Sequence, residues 1–222
     1  MRLNKFIAQA TGLSRRAADQ AISDGRILVN GNLPSIGMQI SDSDSVSLDN
    51  SPLATSNTPH TTIILNKPVG YVCSRDGQGS KTIYELLPNQ YQELKSVGRL
   101  DKNSSGLLLL TNDGNLAHEL THPKFQKTKI YKIALNKPLA PHDYKEIIDK
   151  GAMLDDGASR LHLDRINNTD DVNWKVTMTE GRNRQIRRTF EHFGYNVVKL
   201  HRTQFGHHKL NNIASGKSIR IN

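Results

Sequence analysis

A single carboxylate, Asp101, lies in a short polar segment between two cations and two glycines. The segment runs from Gly98 to Gly106 and places Arg99 and Lys102 beside Asp101. Neighbouring positive charges favour an ionised carboxylate, and an ionised aspartate that is held in place is a candidate nucleophile. From these residues alone, the alternative of an ordinary polar turn in which the aspartate caps a strand stays open.

The residues after Asp101 predict the element that positions it. Leu107 to Leu110 form a short, entirely apolar run, which is typical of a buried strand. Asn112-Asp113-Gly114 predicts the turn that ends this strand, and a helix is expected from Leu116 to Leu120. Asp101 is therefore expected at the edge of a core strand.

A second chemical segment runs from Glu180 to Arg188 and contains four arginines in seven residues. Gly181 precedes a predicted helix, Ile186 to His192, and a helix N-terminus with arginines can hold a phosphate or a carboxylate. The use of arginine at all four positions favours planar, bidentate recognition. A charged, solvated helix face is the alternative. Further strands are predicted at Thr61–Leu65, Tyr71–Cys73, Lys129–Leu135 and Trp174–Met178.

The composition points to a polyanionic partner. The chain has 222 residues with 30 Lys and Arg against 21 Asp and Glu, a net charge of +9. Such an excess suits nucleic acid, whose affinity for proteins is dominated by phosphate contacts. Aromatic residues make up only 5%, which argues against a protein that binds mainly by stacking on single-stranded bases. Cys73 is the single cysteine, so no internal disulfide can form.

The first 48 residues predict a small domain of their own. Apolar residues at helical spacing from Leu3 to Ala10 predict one helix, and Ser14 is a suitable N-cap for a second helix over 15–23. Ile27 to Val29 predicts a strand, and Asn30-Gly31 favours a hairpin. Strand material is also expected around 38–40 and 46–48. Residues 49–60 lack Lys and Arg and are rich in Ser, Thr, Asn and Pro, which predicts a linker to a larger domain at 61–222.

The segment RLNKFIAQATGLSRRAADQAISDGRILVNG resembles the ribosomal-S-four-like RNA-binding domain. The resemblance implies that the second helix and the following hairpin present basic residues to structured RNA. It assigns RNA contacts to Arg15, Arg16 and Arg26, with Arg2 and Lys5 as further candidates. Two arginines at a helix N-terminus are unfavourable beside the helix dipole unless an anion binds there.

Together with the N-terminal domain, the motifs of the larger part give a resemblance to a known family over almost the whole chain. The motifs NKPVGYVCS, GRLDKNSSGLLLLTNDG, KIYKI and EGRNRQIRRTFEHFGYNVVKLHRTQFG occur in the order found in the RsuA/RluB-type ribosomal RNA pseudouridine synthases. The resemblance implies an α+β fold: a small N-terminal α/β RNA-binding domain linked to a mixed, mainly antiparallel-sheet catalytic domain. It also implies isomerisation of a uridine in ribosomal RNA to pseudouridine, with no cofactor and no metal.

The resemblance also implies the roles of individual residues. Asp101 matches the family's catalytic aspartate, Tyr131 the tyrosine that packs on the target base, and Leu200 an apolar residue of the base pocket. Arg187 matches the arginine that pairs with the aspartate. The target uridine must leave the helical stack, and the flanking phosphates are then expected on basic residues, namely Arg99, Lys102, Arg182, Arg184 and Lys67.

Two other classes of protein are weighed against this enzyme. Nine histidines suggest a metal-dependent nuclease or phosphoesterase as the first alternative, but His118 and His122 lack a third ligand at a recognisable spacing, and His207-His208 would point to opposite faces of a strand. A non-catalytic RNA-binding or ribosome-assembly protein on the same fold is the second alternative. Without a long apolar segment, we expect a cytoplasmic protein with no membrane partner, and a monomer is the default expectation.

Overall fold

The computed structural model describes residues 1–54 and 59–222 and divides the chain into two compact units, Met1–Pro59 and His60–Asn222. The sequence places the division at a linker over 49–60. Part of that segment is ordered as a strand, Ser51–Pro52, which pairs with Val46–Leu48, and residues 55–58 lie outside the described residues. The proposed domain limits of 1–48 and 61–222 stay predictions.

The first unit consists of two helices and a three-stranded antiparallel sheet. Its elements are α1 (Leu3–Thr11), α2 (Arg15–Ser23), β1 (Ile27–Val29), β2 (Val46–Leu48) and β3 (Ser51–Pro52). The helix α2 begins where Ser14 predicts, because the Ser14 hydroxyl accepts a hydrogen bond from the Ala17 N–H at 3.0 Å. Apolar residues of α1, α2 and the sheet bury each other in one core that includes Leu3, Ile7 and Ile27.

Two local predictions for this unit are corrected. Asn30 and Gly31 do form a tight turn with positive φ at both residues, but the turn closes only a single bridge between Val29 and Asn32. The strand that pairs with β1 is β2, which places Val46 opposite Val29, fourteen residues further along the chain than the turn suggests. The predicted strand at 38–40 is likewise reduced to one bridge between Arg2 and Gln39.

The second unit is built around a large mixed sheet. Its strands are β4 (Thr62–Lys67), β5 (Lys95–Val97), β6 (Ser105–Thr111), β7 (Lys129–Leu135), β8 (Ala152–Leu154), β9 (Gly157–Ser159), β10 (His162–Arg165), β11 (Asn173–Met178), β12 (Val197–Phe205), β13 (His208–Lys209) and β14 (Ser218–Arg220). Its helices are α3 (Gly114–Thr121), α4 (Pro141–Asp149) and α5 (Gln185–His192), with 3₁₀ turns at Ile83–Leu86, Asn89–Tyr91 and Pro123–Phe125.

The strand order across the sheet is β10-β11-β7-β12-β6-β4-β14, with β5 paired to β6 and β13 paired to β12. The pair β6–β12 is parallel, and the other strand pairs of this sheet are antiparallel. The two remaining strands, β8 and β9, form a separate hairpin. The expected mixed, mainly antiparallel α+β fold is thus confirmed.

The four-leucine run is the most buried part of the sheet, as its composition predicts. Leu107, Leu108, Leu109 and Leu110 are all inaccessible to solvent. Because side chains alternate along a strand, Leu108 and Leu110 pack into the core shared with α5, whereas Leu107 and Leu109 pack into a second core that contains Phe205. The strand β6 is therefore covered on both faces, which fixes the position of the polar segment that precedes it.

Gly106 allows β6 and β12 to approach each other closely. Its φ is +104°, and a Cβ atom there would lie 2.2 Å from the Arg202 carbonyl oxygen. Only glycine combines that φ with the absence of a side chain. This close approach of β6 and β12 places the segment around Asp101 next to the middle of β12.

The segment around Tyr71 differs from its prediction. Tyr71–Cys73 is not a strand; Val72 makes a single parallel bridge with Thr82. The preceding strand, β4, instead continues two residues beyond its predicted end, to Lys67. Within the described residues, no helix is long and apolar enough to cross a membrane.

Candidate active site

A cavity of about 620 Å³ lies where the Asp101 segment meets the ends of β7, β11 and β12 and the start of α5. Three residues with predicted roles in catalysis or base binding, Asp101, Tyr131 and Leu200, line it. The volume is within the usual range for small-ligand sites. The structure therefore brings these three residues together, although they are up to 99 positions apart in the sequence.

Hydrogen bonds to the carbonyl oxygens of residues 101–104 hold the main chain around Asp101 in place. The Asp101 carbonyl accepts from the Ser104 N–H at 3.0 Å, and the Lys102 carbonyl accepts from the Gly70 N–H at 2.8 Å. The carbonyls of Asn103 and Ser104 accept from two buried cations at 2.8 and 2.7 Å. Every carbonyl oxygen from 101 to 104 thus has a partner, so the backbone that carries the carboxylate is closely fixed.

Lys67 is the first of these buried cations, and its burial does not fit the expected contact with an RNA phosphate. It is 0% exposed, and its ammonium group donates to the carbonyls of Pro68, Asp101 and Ser104 at 3.1, 3.0 and 2.7 Å. Burial lowers the pKa of this ammonium group to about 8, against partial compensation by Cys73 and Asp101. Lys67 is therefore buried against the Asp101 segment and supports its main chain.

Arg187 is the second cation, and its expected ion pair with Asp101 is absent among the described residues. Its guanidinium donates instead to the carbonyl of Asn103 at 2.8 Å and to that of Val197. Only 8% of Arg187 is exposed, and burial followed by the charge of Arg184 lowers its pKa. In this structure Arg187 orders the backbone beside the aspartate and does not contact the carboxylate.

Tyr131 and Leu200 reach the cavity from neighbouring strands. In the pairing of β7 with β12, Tyr131 lies opposite Arg202 and Leu200 opposite Ile133. Both Tyr131 and Leu200 are buried, and both belong to the core that packs against α5. They are positioned to contact a planar base that enters the cavity, and their roles stay predictions.

The arginines before α5 are divided between the protein and the cavity. Arg182 lines the cavity, but its guanidinium donates to Asp156 and to the carbonyls of Gly157 and Ala158 at 2.8 to 3.0 Å. Arg188 binds the same Asp156 carboxylate with two nitrogens at 3.1 and 2.7 Å. The arginines thus bind a carboxylate of the chain itself, as one of the two predicted ligands of this segment. Because the Arg182 guanidinium is already hydrogen-bonded, it is less available to a phosphate.

The other predicted phosphate contacts of this unit differ in position. Arg99 is exposed and lines the cavity. Arg184 also lines the cavity and lies 3.5 Å from Glu191. Lys102 is exposed but outside the cavity lining, with its ammonium group on the Ser80 hydroxyl at 3.1 Å. Arg99 and Arg184 thus combine exposure with a position on the cavity wall, and their contacts with phosphate stay predictions.

The basic residues of the first unit are all at or near its surface. Arg15 and Arg16 are exposed at the start of α2, and Arg15 donates to the Asn4 amide oxygen at 3.0 Å. Arg26 is already paired with Asp49 at 2.5 Å, which leaves its guanidinium less available to RNA. Arg2 precedes α1 and Lys5 lies within it. Their contacts with RNA stay predictions.

Three further residues of the cavity wall were missed by sequence reasoning. Lys129, Arg202 and Phe205 line the cavity next to the residues already named. They lie at the start of β7 and the end of β12, and both segments were recognised by their motifs. No local pattern distinguishes an inward-pointing Arg202 from a solvated arginine, because this depends on the pairing of β12 with β6.

Within the described ranges, no group of three or more His, Cys, Asp or Glu residues is placed to hold a metal ion. The rings of His118 and His122 contact each other, with centroids 4.8 Å apart, and both contact Phe125. These histidines form an aromatic cluster at the end of α3.

Comparisons with known proteins agree with this architecture. The family model for RNA pseudouridylate synthase matches residues 61–192, and that for the S4 domain matches residues 1–44. The chain is 40% identical over 215 residues to "Ribosomal large subunit pseudouridine synthase B" of Xylella fastidiosa, covering 92% of this chain but 45% of that protein. It therefore spans about half the length of the first curated relatives that it matches.

Other relatives are matched over nearly their full length. "Ribosomal small subunit pseudouridine synthase A" of Pasteurella multocida is 34% identical, with 98% of this chain and 94% of that protein covered. A solved crystal structure of a pseudouridylate synthase superposes with a TM-score of 0.72 at 32% identity, covering 100% of this chain and 96% of that one. The chain belongs to the RNA pseudouridylate synthase family and carries an S4 domain at its N-terminus.

Proposed function

We propose that the protein isomerises a uridine of ribosomal RNA to pseudouridine, with Asp101 as the essential carboxylate. The observation that carries the proposal is the shared cavity of Asp101, Tyr131 and Leu200 in a chain of this family. Relatives with similar sequences are named as ribosomal pseudouridine synthases of both the large and the small subunit. The similarity does not favour either subunit.

The reaction breaks the bond between ribose C1′ and uracil N1 and forms one between C1′ and uracil C5. The detached base turns within the site, C5 loses its proton and N1 gains one, so the product is an isomer of the substrate. Asp101 would attack the ribose carbon, attack the uracil ring or assist formation of a glycal. Each of these routes requires a carboxylate at a fixed position, which the hydrogen-bonded backbone around Asp101 provides.

The cavity suits a base that has left the helical stack. An enzyme that acts on a base within folded RNA must extrude that base, and the apolar surfaces of Tyr131 and Leu200 would contact the extruded ring. Arg99 and Arg184 would hold the phosphates beside it. The first unit would add affinity through its exposed basic residues, in particular Arg15 and Arg16.

The proposal is tested by mapping pseudouridine in ribosomal RNA with carbodiimide labelling and primer extension. Cells that express the wild type are compared with cells that express Asp101→Ala. We expect one site that is present with the wild type and absent with the variant. Identical maps would contradict the proposed activity on ribosomal RNA.

The role of the first unit needs a separate experiment. Deletion of residues 1–55 should weaken binding to ribosomal RNA and reduce its dependence on salt, since basic contacts to phosphate are lost. An unaltered salt dependence would show that these residues do not bind phosphate. The expected monomeric state and cytoplasmic location stay predictions, which sedimentation and fractionation can test.

A further inference from the structure

Two cations share one aromatic ring on the wall of the Asp101 cavity. The Arg202 guanidinium carbon lies 4.9 Å from the centroid of the Phe205 ring, and the Lys129 ammonium nitrogen lies 5.3 Å from it. All three residues, called here the Phe205 cluster, line the cavity. A ring can attract each cation through its electron-rich face, but it does not neutralise their charge.

Arg202 is buried with most of its hydrogen-bonding capacity unused. It is 2% exposed, and its Nε donates to the Leu107 carbonyl at 2.8 Å. Its terminal nitrogen Nη2 is buried and has no partner among the described residues. A guanidinium has five N–H donors, and a buried charge without a counter-ion is unfavourable. Among the described residues, this side chain has no ion pair with a carboxylate.

Lys129 has a similar deficit. Its ammonium nitrogen lies 3.3 Å from the carbonyls of Thr179 and Glu180 and 3.5 Å from that of Lys127, which are long for hydrogen bonds. Burial and the positive charge of Arg202 lower the pKa of Lys129, with some compensation from the Glu180 carboxylate. In the described part of the chain, neither Lys129 nor Arg202 forms an ion pair.

The two acidic residues near the cluster, Asp101 and Glu180, have other roles or other partners. Asp101 is the carboxylate that the proposed reaction requires. Glu180 contacts the side chains of Gln185 and Arg182. Two like charges that face one cavity and repel each other would be stabilised most by an anion that binds between them. A neutral uracil carbonyl would accept a hydrogen bond but would not relieve the repulsion.

We propose that the Phe205 cluster is a phosphate-binding subsite, which holds a backbone phosphate of the nucleotide whose base enters the Asp101 cavity. This inference rests on the proposed function, because it takes RNA as the ligand. Arg202 supplies unused donors, Lys129 supplies a second charge, and Phe205 keeps both cations directed at the cavity without competing for their hydrogen bonds. The subsite fixes the ribose relative to Asp101.

The test measures RNA affinity as a function of salt in the full chain. The RNA is the shortest ribosomal RNA fragment that the wild-type chain retains in a filter-binding assay. All proteins carry Asp101→Asn so that the RNA is not converted. Lys129→Met and Lys129→Gln remove the charge, Lys129→Arg keeps it, and Lys145→Met removes an exposed lysine on α4, outside the cavity lining. Thermal melting establishes that each variant is folded.

The two neutral variants should reduce the slope of log affinity against log salt by about 0.7 to 0.9, the value for one phosphate contact. Lys129→Arg and Lys145→Met should keep the parent slope. An unchanged slope in folded Lys129→Gln would overturn the proposal, even if the affinity itself falls, because a role in packing or base contact does not depend on counter-ion release. Failure of the proposed function is recognised separately, by the absence of pseudouridine when the wild-type chain acts on the same RNA.

Discussion

Replacement of Lys67 by methionine separates support of the Asp101 segment from contact with RNA. The Lys67 side chain is inaccessible to solvent, and its ammonium group donates hydrogen bonds to the carbonyls of Asp101 and Ser104. Methionine has a similar length and no charge, so Lys67→Met removes these hydrogen bonds with little change in volume. We expect a folded protein in which the Asp101 carboxylate is less well positioned.

The expected change in stability is small because two contributions oppose each other. The variant loses three hydrogen bonds from a charged donor, each worth about 1.5 kcal/mol at the lower end of the usual range. It also escapes the cost of a buried ammonium group, whose pKa is lowered from 10.5 to about 8, equivalent to about 3 kcal/mol. The free energy of unfolding should therefore decrease by only about 1 to 2 kcal/mol.

The expected change in activity is larger. A misplacement of about 1 Å at a reacting group can reduce the rate about 100-fold, so kcat of Lys67→Met should fall between about 10-fold and 100-fold. KM for RNA should stay within about twofold of the wild type, because Lys67 does not reach the surface. Turnover is measured by release of tritium from RNA labelled at uracil C5, since the reaction removes that hydrogen.

The pH dependence gives a second reading of the same prediction. The pKa of the Lys67 ammonium group is about 8 in the folded chain. Above that pH the group loses its proton, and the neutral amine is a weaker hydrogen-bond donor. The kcat of the wild type should therefore decline above pH 8, whereas the lower kcat of Lys67→Met should not. This decline is not unfolding: the folded pKa lies below the unfolded value, so the contribution of Lys67 to stability improves between pH 8 and 10.5.

A specific result would refute this reasoning about Lys67. If Lys67→Met kept kcat within about twofold of the wild type while KM rose and the salt dependence of binding weakened, Lys67 would be a phosphate contact after all. Retention of the decline in kcat above pH 8 in the variant would show that another group titrates there.

Three further predictions concern a close strand contact, a helix N-cap and the carboxylate that holds two arginines near α5. Gly106→Ala should lower the free energy of unfolding by about 3 kcal/mol or more, since the new Cβ would lie 2.2 Å from the Arg202 carbonyl; a wild-type urea midpoint would contradict this. Ser14→Ala should destabilise the first unit by about 1 kcal/mol, and Ser14→Asp should not, because only the alanine loses the N-cap at α2; calorimetry of the full chain measures both. Asp156→Ala should reduce tritium release, and Asp156→Glu should reduce it less, because this carboxylate holds two arginines at the start of α5; equal activities would exclude such a role.

Local patterns were sufficient to predict several elements. The helix α2 begins after Ser14 because the cap is a property of adjacent residues. The strand β7 spans Lys129–Leu135 as its alternation of polar and apolar residues predicts. The buried position of Leu107 to Leu110 follows from their composition. Each of these features is determined by neighbours along the chain.

The roles of Lys67 and Arg187 could not be predicted in the same way. Both side chains donate to main-chain carbonyls of the Asp101 segment, 34 and 84 positions away in the sequence. Every residue has a carbonyl oxygen, so no sequence pattern identifies the carbonyl that a lysine or an arginine will bind. From the sequence alone, such a lysine or arginine is therefore easily assigned to the Asp101 carboxylate or to an RNA phosphate, and its bond to a main-chain carbonyl is missed.

The pairing of Arg26 with Asp49 illustrates a related difficulty. The two residues are 23 positions apart and meet because Arg26 immediately precedes β1 and Asp49 immediately follows β2, the strand paired with it. The sequence suggests a hairpin at Asn30-Gly31, which would bring other residues next to Arg26. Knowledge of the strand pairing is required before a surface arginine can be assigned to RNA.

The central claim is that Asp101 performs chemistry on a uridine that the rest of the chain binds. The most direct test measures RNA affinity and tritium release from C5-labelled ribosomal RNA for the wild type and Asp101→Asn in parallel. We predict affinities within about twofold of each other and no tritium release by the variant. Release by Asp101→Asn at the wild-type rate would contradict the claim, and loss of affinity together with release would show that Asp101 acts in binding instead.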